Sequence, residues 1–222
     1  MKNLNLIIVL LLLFSACKSD KKEAVSELET SLTDAEKIAH AYGINNWNNV
    51  KEIAFTFNVD KDSTHFERSW IWQPKTNQVT FISKNDTIHY NRTQLDSTVI
   101  NTDKAFINDK YWLLAPFNLV WDEGITISTP LEEISPISKK SLNKIAVTYS
   151  NEGGYTPGDA YDLYYNSNYI IKEWVYRKEN AKVPTMITTW ENNTNFNDII
   201  ISLNHVKADD NWELFFTNVS IK

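Results

Sequence analysis

From residue 50 onward the apolar positions recur every second residue. In "IAFTFNV" (53–59), Ile53, Phe55, Phe57 and Val59 alternate with Ala54, Thr56 and Asn58. In "HFERSWIWQ" (65–73), Phe66, Arg68, Trp70 and Trp72 alternate with His65, Glu67, Ser69 and Ile71. A period of two is the signature of a strand whose side chains project to alternate faces. The same pattern returns in "QVTFIS", "TIHYN", "GITIS", "NKIAVTYS", "DAYDLYY", "YIIKEWVYR", "PTMITTWE", "DIIISLNHV" and "WELFFTNVSI". Ten or eleven strands joined by hairpin-length turns predict an antiparallel meander. The chain has only five glycines, so Asn and Asp supply the turns, where they tolerate positive φ.

Two segments depart from this period. In "TDAEKIAHAYG" (33–43), Ala35, Ile38, Ala39 and Tyr42 fall on one helical stripe. Thr33 and Glu36 have capping-box spacing, and Gly43 can take the left-handed conformation that ends the helix. In "TDKAFINDKYWLLAPFNLVWDEG" (102–124), Phe106, Lys110, Leu113, Leu114 and Phe117 recur at helical spacing. Thr102 or Asp103 is placed to cap that start. Pro116 disfavours α geometry at Ala115, so the expectation is a short central helix over about 103–115, then an extended apolar segment to Trp121. The fold class is therefore mainly β (α+β), with an N-terminal and a short central helix.

Several strands carry large residues on both faces. Trp70 and Trp72 oppose Ile71; Ile170, Trp174 and Tyr176 oppose Ile171 and Val175. A sheet with one wet face alternates apolar with polar, so here both faces need cover. One face can take the first helix. The other closes on itself, packs a second sheet or holds something that is not protein, and the aromatic-rich central segment is its natural lid or filler.

The N-terminus follows a different logic. Met1-Lys2, the uncharged run from Leu4 to Phe14 and the small pair Ser15-Ala16 have the layout of a secretory signal. The apolar run is about a dozen residues, against the roughly 20 that a spanning helix needs. Phe14-Ser15-Ala16-Cys17 resembles the lipobox of bacterial lipoproteins, with Phe where Leu is usual. That resemblance implies that Cys17, the chain's only cysteine, is acylated and becomes the first residue after cleavage. An intrachain disulfide is excluded, and two or three acyl chains suffice for stable anchoring in a membrane. The expected organisation is a signal peptide over 1–16, a polar flexible tether over 17–30 and a single domain over 31–222.

The leading helix with "AYGINNWNNVKEIAFTF", then "WIWQPKTNQVTF", "YWLLAPFNLVWD" and "GGYTPGDAYDLYYNSNYIIKEWVYR", resembles a family of uncharacterised lipoproteins. Its layout is similar to the superfamily of periplasmic lipoprotein carriers and outer-membrane lipoprotein receptors, the LolA/LolB-like fold. The resemblance implies a single curved antiparallel sheet, a half-open barrel holding helices on its concave side, with acyl chains bound between them. It also implies an address in the bacterial cell envelope, at the outer membrane, on its periplasmic or surface face.

Composition narrows the chemistry. The net charge of −6 without a basic cluster argues against nucleic acid. The four histidines, His40, His65, His89 and His205, are far apart and show no metal-ligand spacing. No G-x-S-x-G elbow is present. Asp122-Glu123 reads as a solvated turn, and Asp159 and Asp162 fall on opposite faces of a strand. "EGGYTPGD" (152–159) lacks the Lys-Ser/Thr ending of a phosphate-binding loop and reads as a connection between strands. The expectation is a protein that is not an enzyme and carries no cofactor or metal. The candidate site is a cavity lined by Trp70, Trp72, Phe106, Trp112, Leu114, Phe117 and Trp121, with Tyr155 at its rim. Two functions fit: a tethered binder of an acyl chain, lipid or lipoprotein, or an interaction module of an envelope protein complex whose cavity is filled by its own side chains.

Overall fold

A computed structural model describes residues 32–208 and 210–222, so the expected signal peptide, Cys17 and the expected tether lie outside the described residues. Thr33–Lys222 forms one compact unit. It opens with α1 (Asp34–Ala41), capped as its sequence predicts: Thr33 Oγ1 accepts from the Glu36 backbone N–H, and the Glu36 carboxylate accepts from the Thr33 N–H at 2.7 Å. Ala35, Ile38 and Ala39 are buried. Gly43, at φ +93°, turns the chain into a 3-10 segment, Ile44–Asn49. A Cβ there would lie 1.9 Å from the Asp198 carbonyl oxygen, so glycine is required by space as well as by angle.

Thirteen strands follow: β1 (Ile53–Lys61), β2 (Thr64–Gln73), β3 (Gln78–Ile82), β4 (Thr87–Asn91), β5 (Ile125–Ile127), β6 (Leu131–Ile134), β7 (Ser141–Tyr149), β8 (Ala160–Tyr165), β9 (Ile171–Arg177), β10 (Met186–Thr189), β11 (Glu191–Phe196), β12 (Ile199–Val206) and β13 (Trp212–Ile221). All pair antiparallel, in the orders β11-β12-β13-β1-β2-β3-β4 and β10-β9-β8-β7-β5, with β6 also on β7. The mainly β, antiparallel fold is that expected. Two strands are additional to the eleven read from periodicity. β6 is exposed at all four positions and β11 is polar, so neither carries an alternating apolar signal.

The expected single sheet is hydrogen-bonded as two, which meet where β10 runs into β11. "PTMITTWE" reads as continuous, yet β10 pairs with β9 while β11 pairs with β12. Buried Trp190 is the single residue between them. The chain thus changes sheet at a corner, as strands of orthogonally packed sheets do. Across it, the Thr189 hydroxyl accepts from the Val206 N–H at 3.1 Å. At the far ends β4 and β5 do not pair with each other, so the arrangement stays open rather than closing into a barrel.

α2 (Ile100–Trp121) lies between the two sheets. Phe106 packs on Trp70 and Trp72 of β2, at 5.4 and 5.6 Å between ring centroids, and Trp112 packs on Trp174 of β9 at 4.4 Å. Here the expectation of a short helix ending at Ala115 is corrected. The helix runs 22 residues, kinks at Leu114 (φ −126°, ψ 21°) and continues through Pro116 to Trp121. Proline removes one backbone hydrogen bond but is favourable in the first turn of a fresh helical segment. That second segment buries Ala115, Phe117 and Leu119, so packing carries it past the break. The capping expectation is corrected as well. The N-cap is Val99 without a side-chain cap, and Asp103 is buried one turn inside, bound to Arg92 at 2.8 Å.

Candidate functional site

A cavity of about 410 Å³ lies where α2 and the sheets part. α2 contributes Ile107, Tyr111 and Trp112; β8 and β9 contribute Tyr161, Trp174 and Tyr176; β1 and β13 contribute Phe57, Trp212 and Leu214. Periodicity explains the convergence. Trp174 and Tyr176 are two apart on one strand, as are Trp212 and Leu214, so each pair presents one face. The rings brace one another: Tyr161 lies 4.9 Å from Trp174, 5.0 Å from Tyr111 and stacks on Tyr176 at 5.3 Å. The Tyr176 hydroxyl donates to Asp159 at 2.8 Å, and burial together with that carboxylate pushes its pKa up to about 12. The phenols therefore stay neutral, and the wall is predominantly apolar, with a few hydroxyl dipoles and, from α2, the Lys104 ammonium and the Asn108 amide.

A second compartment, of about 360 Å³, adjoins the first and shares Ile107, Tyr111, Tyr155 and Thr156 with it. Its character is polar. Lys110 reaches it from α2, Arg92 from the end of β4, and Tyr149 and Asp122 stand opposite. Tyr149 donates to Asp122 at 2.5 Å and lies 3.1 Å from the Tyr111 hydroxyl. The loop of residues 150–159 roofs this compartment, as expected of a connection between strands, here β7 and β8. The Tyr155 hydroxyl ties it to α2 by donating to Asp103 at 2.9 Å. Lys110 sits 5.9 Å from the Trp72 ring and 5.7 Å from the Trp121 ring. Burial pushes its pKa down to about 8.

Of the eight residues singled out by sequence, Trp112 and Tyr155 line the cavity. The other six form packed layers between α2 and neighbouring elements. Trp70 is fully buried and donates its indole N–H to Asp109 at 2.8 Å, and Phe106 is fully buried against it. Trp72 rests on Trp47 and Phe106; Leu114 is buried; Phe117 and Trp121 pack on each other and on Trp47. Asp109 is held by Arg68 through two hydrogen bonds of 2.6 Å. Sequence reasoning left out Tyr111, Tyr161, Trp174, Tyr176 and Trp212 as lining residues. The Trp174/Tyr176 pair was visible, but nothing in a period of two says which sheet half stands clear of the helix.

Behind the cavity wall, His205 is wholly buried between Trp112 (5.2 Å) and Trp190 (4.5 Å). Burial pushes its pKa down to about 3, so it is neutral, and its Nδ1 lies 3.3 Å from the Thr189 carbonyl oxygen. A wider groove of about 650 Å³, which includes Lys140, Asn166, Lys172 and Asn193, is more open and more polar. Among the described residues no group of three or more His, Cys, Asp or Glu side chains is placed to hold a metal ion, and no helix is long and apolar enough to cross a membrane.

No protein-family profile matches the chain, and no curated protein matches it in sequence. It is similar in structure to a LolA superfamily protein from Nitrosomonas europaea, at 11% identity over 86% of this chain and 94% of that one, TM-score 0.48. A DUF1329 family protein from Desulfovibrio piger is similar at 7% identity over 85% and 92%, TM-score 0.47. A domain from Vibrio parahaemolyticus named for outer membrane lipoprotein sorting is similar at 8% identity over 85% and 93%, TM-score 0.45.

Proposed function

We propose that this protein is a membrane-anchored lipoprotein of the bacterial cell envelope that binds an acyl chain in the cavity between α2 and the sheets. The observation that carries the reading is the aromatic cavity of about 410 Å³, walled by rings that hold one another and bounded by hydroxyls that stay neutral. Each methylene transferred from water into such a wall contributes roughly 0.8 kcal/mol. Six of them give about 5 kcal/mol before the costs of association, which is useful binding without polar recognition. Acylation of Cys17, outside the described residues, supplies the anchor in this reading.

The Thr33–Lys222 unit carries its own core, so it can be tested apart from the anchor. Native mass spectrometry of that unit from cells is expected to show a bound lipid mass, and added decanoate to bind saturably by calorimetry. Absence of both would refute the reading. The alternative, a module that meets a protein partner, draws support from edge strand β6, where Leu131 and Ile134 are 46% and 60% exposed. It expects a protein mass and no lipid in the same spectrum.

A further inference from the structure

We propose that the polar compartment beside the cavity receives an anionic head group, with Lys110 as its anchor, so that the ligand is a single-chain amphiphile such as a fatty-acid carboxylate. This rests on the acyl-binding reading above and specifies its chemistry. The two compartments share Ile107, Tyr111, Tyr155 and Thr156, so a molecule with its tail among Trp112 and Trp174 has its other end beside Lys110.

Lys110 differs from the two arginines beside α2 in having no ion pair among the described residues, and from Lys104 of the same helix, which lines the acyl cavity and is exposed, in being half-buried. Arg68 is paired with Asp109 and Arg92 with Asp103, whereas among the described residues no carboxylate lies within 4.0 Å of the Lys110 ammonium. Its polar partner is the neutral amide oxygen of Asn118 at 3.4 Å, and the rings of Trp72 and Trp121 flank it. Carboxylates share the compartment, and the Asp122 charge attracts Lys110 from beyond ion-pair distance. Asp103 accepts from Arg92, Tyr90 and Tyr155; Asp122 accepts from Tyr149; Glu123 and Glu152 stand exposed at the rim, where water screens them. A half-buried cation without a direct ion pair still carries a desolvation cost, and an anion brought in on an acyl chain offsets it with a charge-assisted hydrogen bond.

The test is calorimetry on the Thr33–Lys222 unit at pH 7, with decanoate, decan-1-ol and acetate. Decanoate is expected to bind about tenfold more tightly than decan-1-ol, acetate not measurably, and Lys110→Met to remove the difference between the two ten-carbon ligands. Equal affinities in the unsubstituted protein would overturn the head-group assignment and leave the acyl-binding reading standing. So would a preference that persists in Lys110→Met. Acetate binding as tight as decanoate would replace the amphiphile with a small-anion site. Failure of both ten-carbon ligands to bind would overturn the acyl-binding reading itself. Because the comparison of the three ligands on the unsubstituted protein decides by itself, the inference stays testable even if the variant folds poorly.

Discussion

Filling the cavity should weaken binding while sparing the fold. Ile107 is the position of choice: it lies on α2, is half-buried, and lines both compartments. Ile107→Trp points a larger side chain into space that is otherwise open, where overpacking costs least. The added ring atoms occupy room for roughly two methylenes of a bound chain. At about 0.8 kcal/mol each, the loss is about 1.6 kcal/mol, or roughly 15-fold in Kd. Calorimetric titration with decanoate reads the change, and thermal unfolding checks that the midpoint moves by only a few degrees. An affinity unchanged within about twofold, in a variant that is properly folded, would place the acyl chain elsewhere and refute the assignment.

Two further predictions concern what holds the site in shape. Asp109 is wholly buried, and burial raises its pKa against the opposing pull of Arg68. Arg68→Met should therefore cost about 3–5 kcal/mol in urea unfolding by leaving that charge with only the Trp70 and Asn108 N–H groups, and adding Asp109→Asn should recover part of the loss; no recovery would refute the buried-charge account. His205 has a folded pKa of about 3, below its unfolded value of about 6.5, so the unfolded chain binds the proton first as pH falls, and stability declines from about pH 6.5 downward. Between pH 6.5 and 5 the unfolding free energy should fall by about 1.7 kcal/mol more than in His205→Leu; parallel curves would show that the imidazole is hydrated when folded.

Much of the architecture was legible because it is local. The capping box at Thr33 and Glu36 satisfies backbone groups within one turn, and the strands from Ile53 to Ile221 announce themselves by which residues must avoid water. β6 and β11 were illegible for a different reason: each pairs with the next strand in the chain, but an exposed edge strand is held by backbone hydrogen bonds and its own residues carry no burial pattern. Pro116 misled because a local backbone rule predicts an end, while the burial of Phe117 and Leu119 against distant elements decides in favour of a kink.

The candidate site divides along the same line. From the amino-acid order alone came the mainly β class, the two helices, the abundance of aromatic residues on both strand faces and the expectation that a concave space lies beside the central helix. Only the tertiary structure decided that Trp70, Trp72, Phe106 and Phe117 fill their side of that space, while Trp112, Tyr161 and Trp174 frame the open one and Lys110 faces the compartment next to it. The physical reason is that periodicity records which side chains leave water, a property of each residue and its near neighbours. Whether two apolar surfaces meet or stand apart depends on the bend at Trp190 and the kink at Leu114, which are set by contacts between segments far apart in the chain.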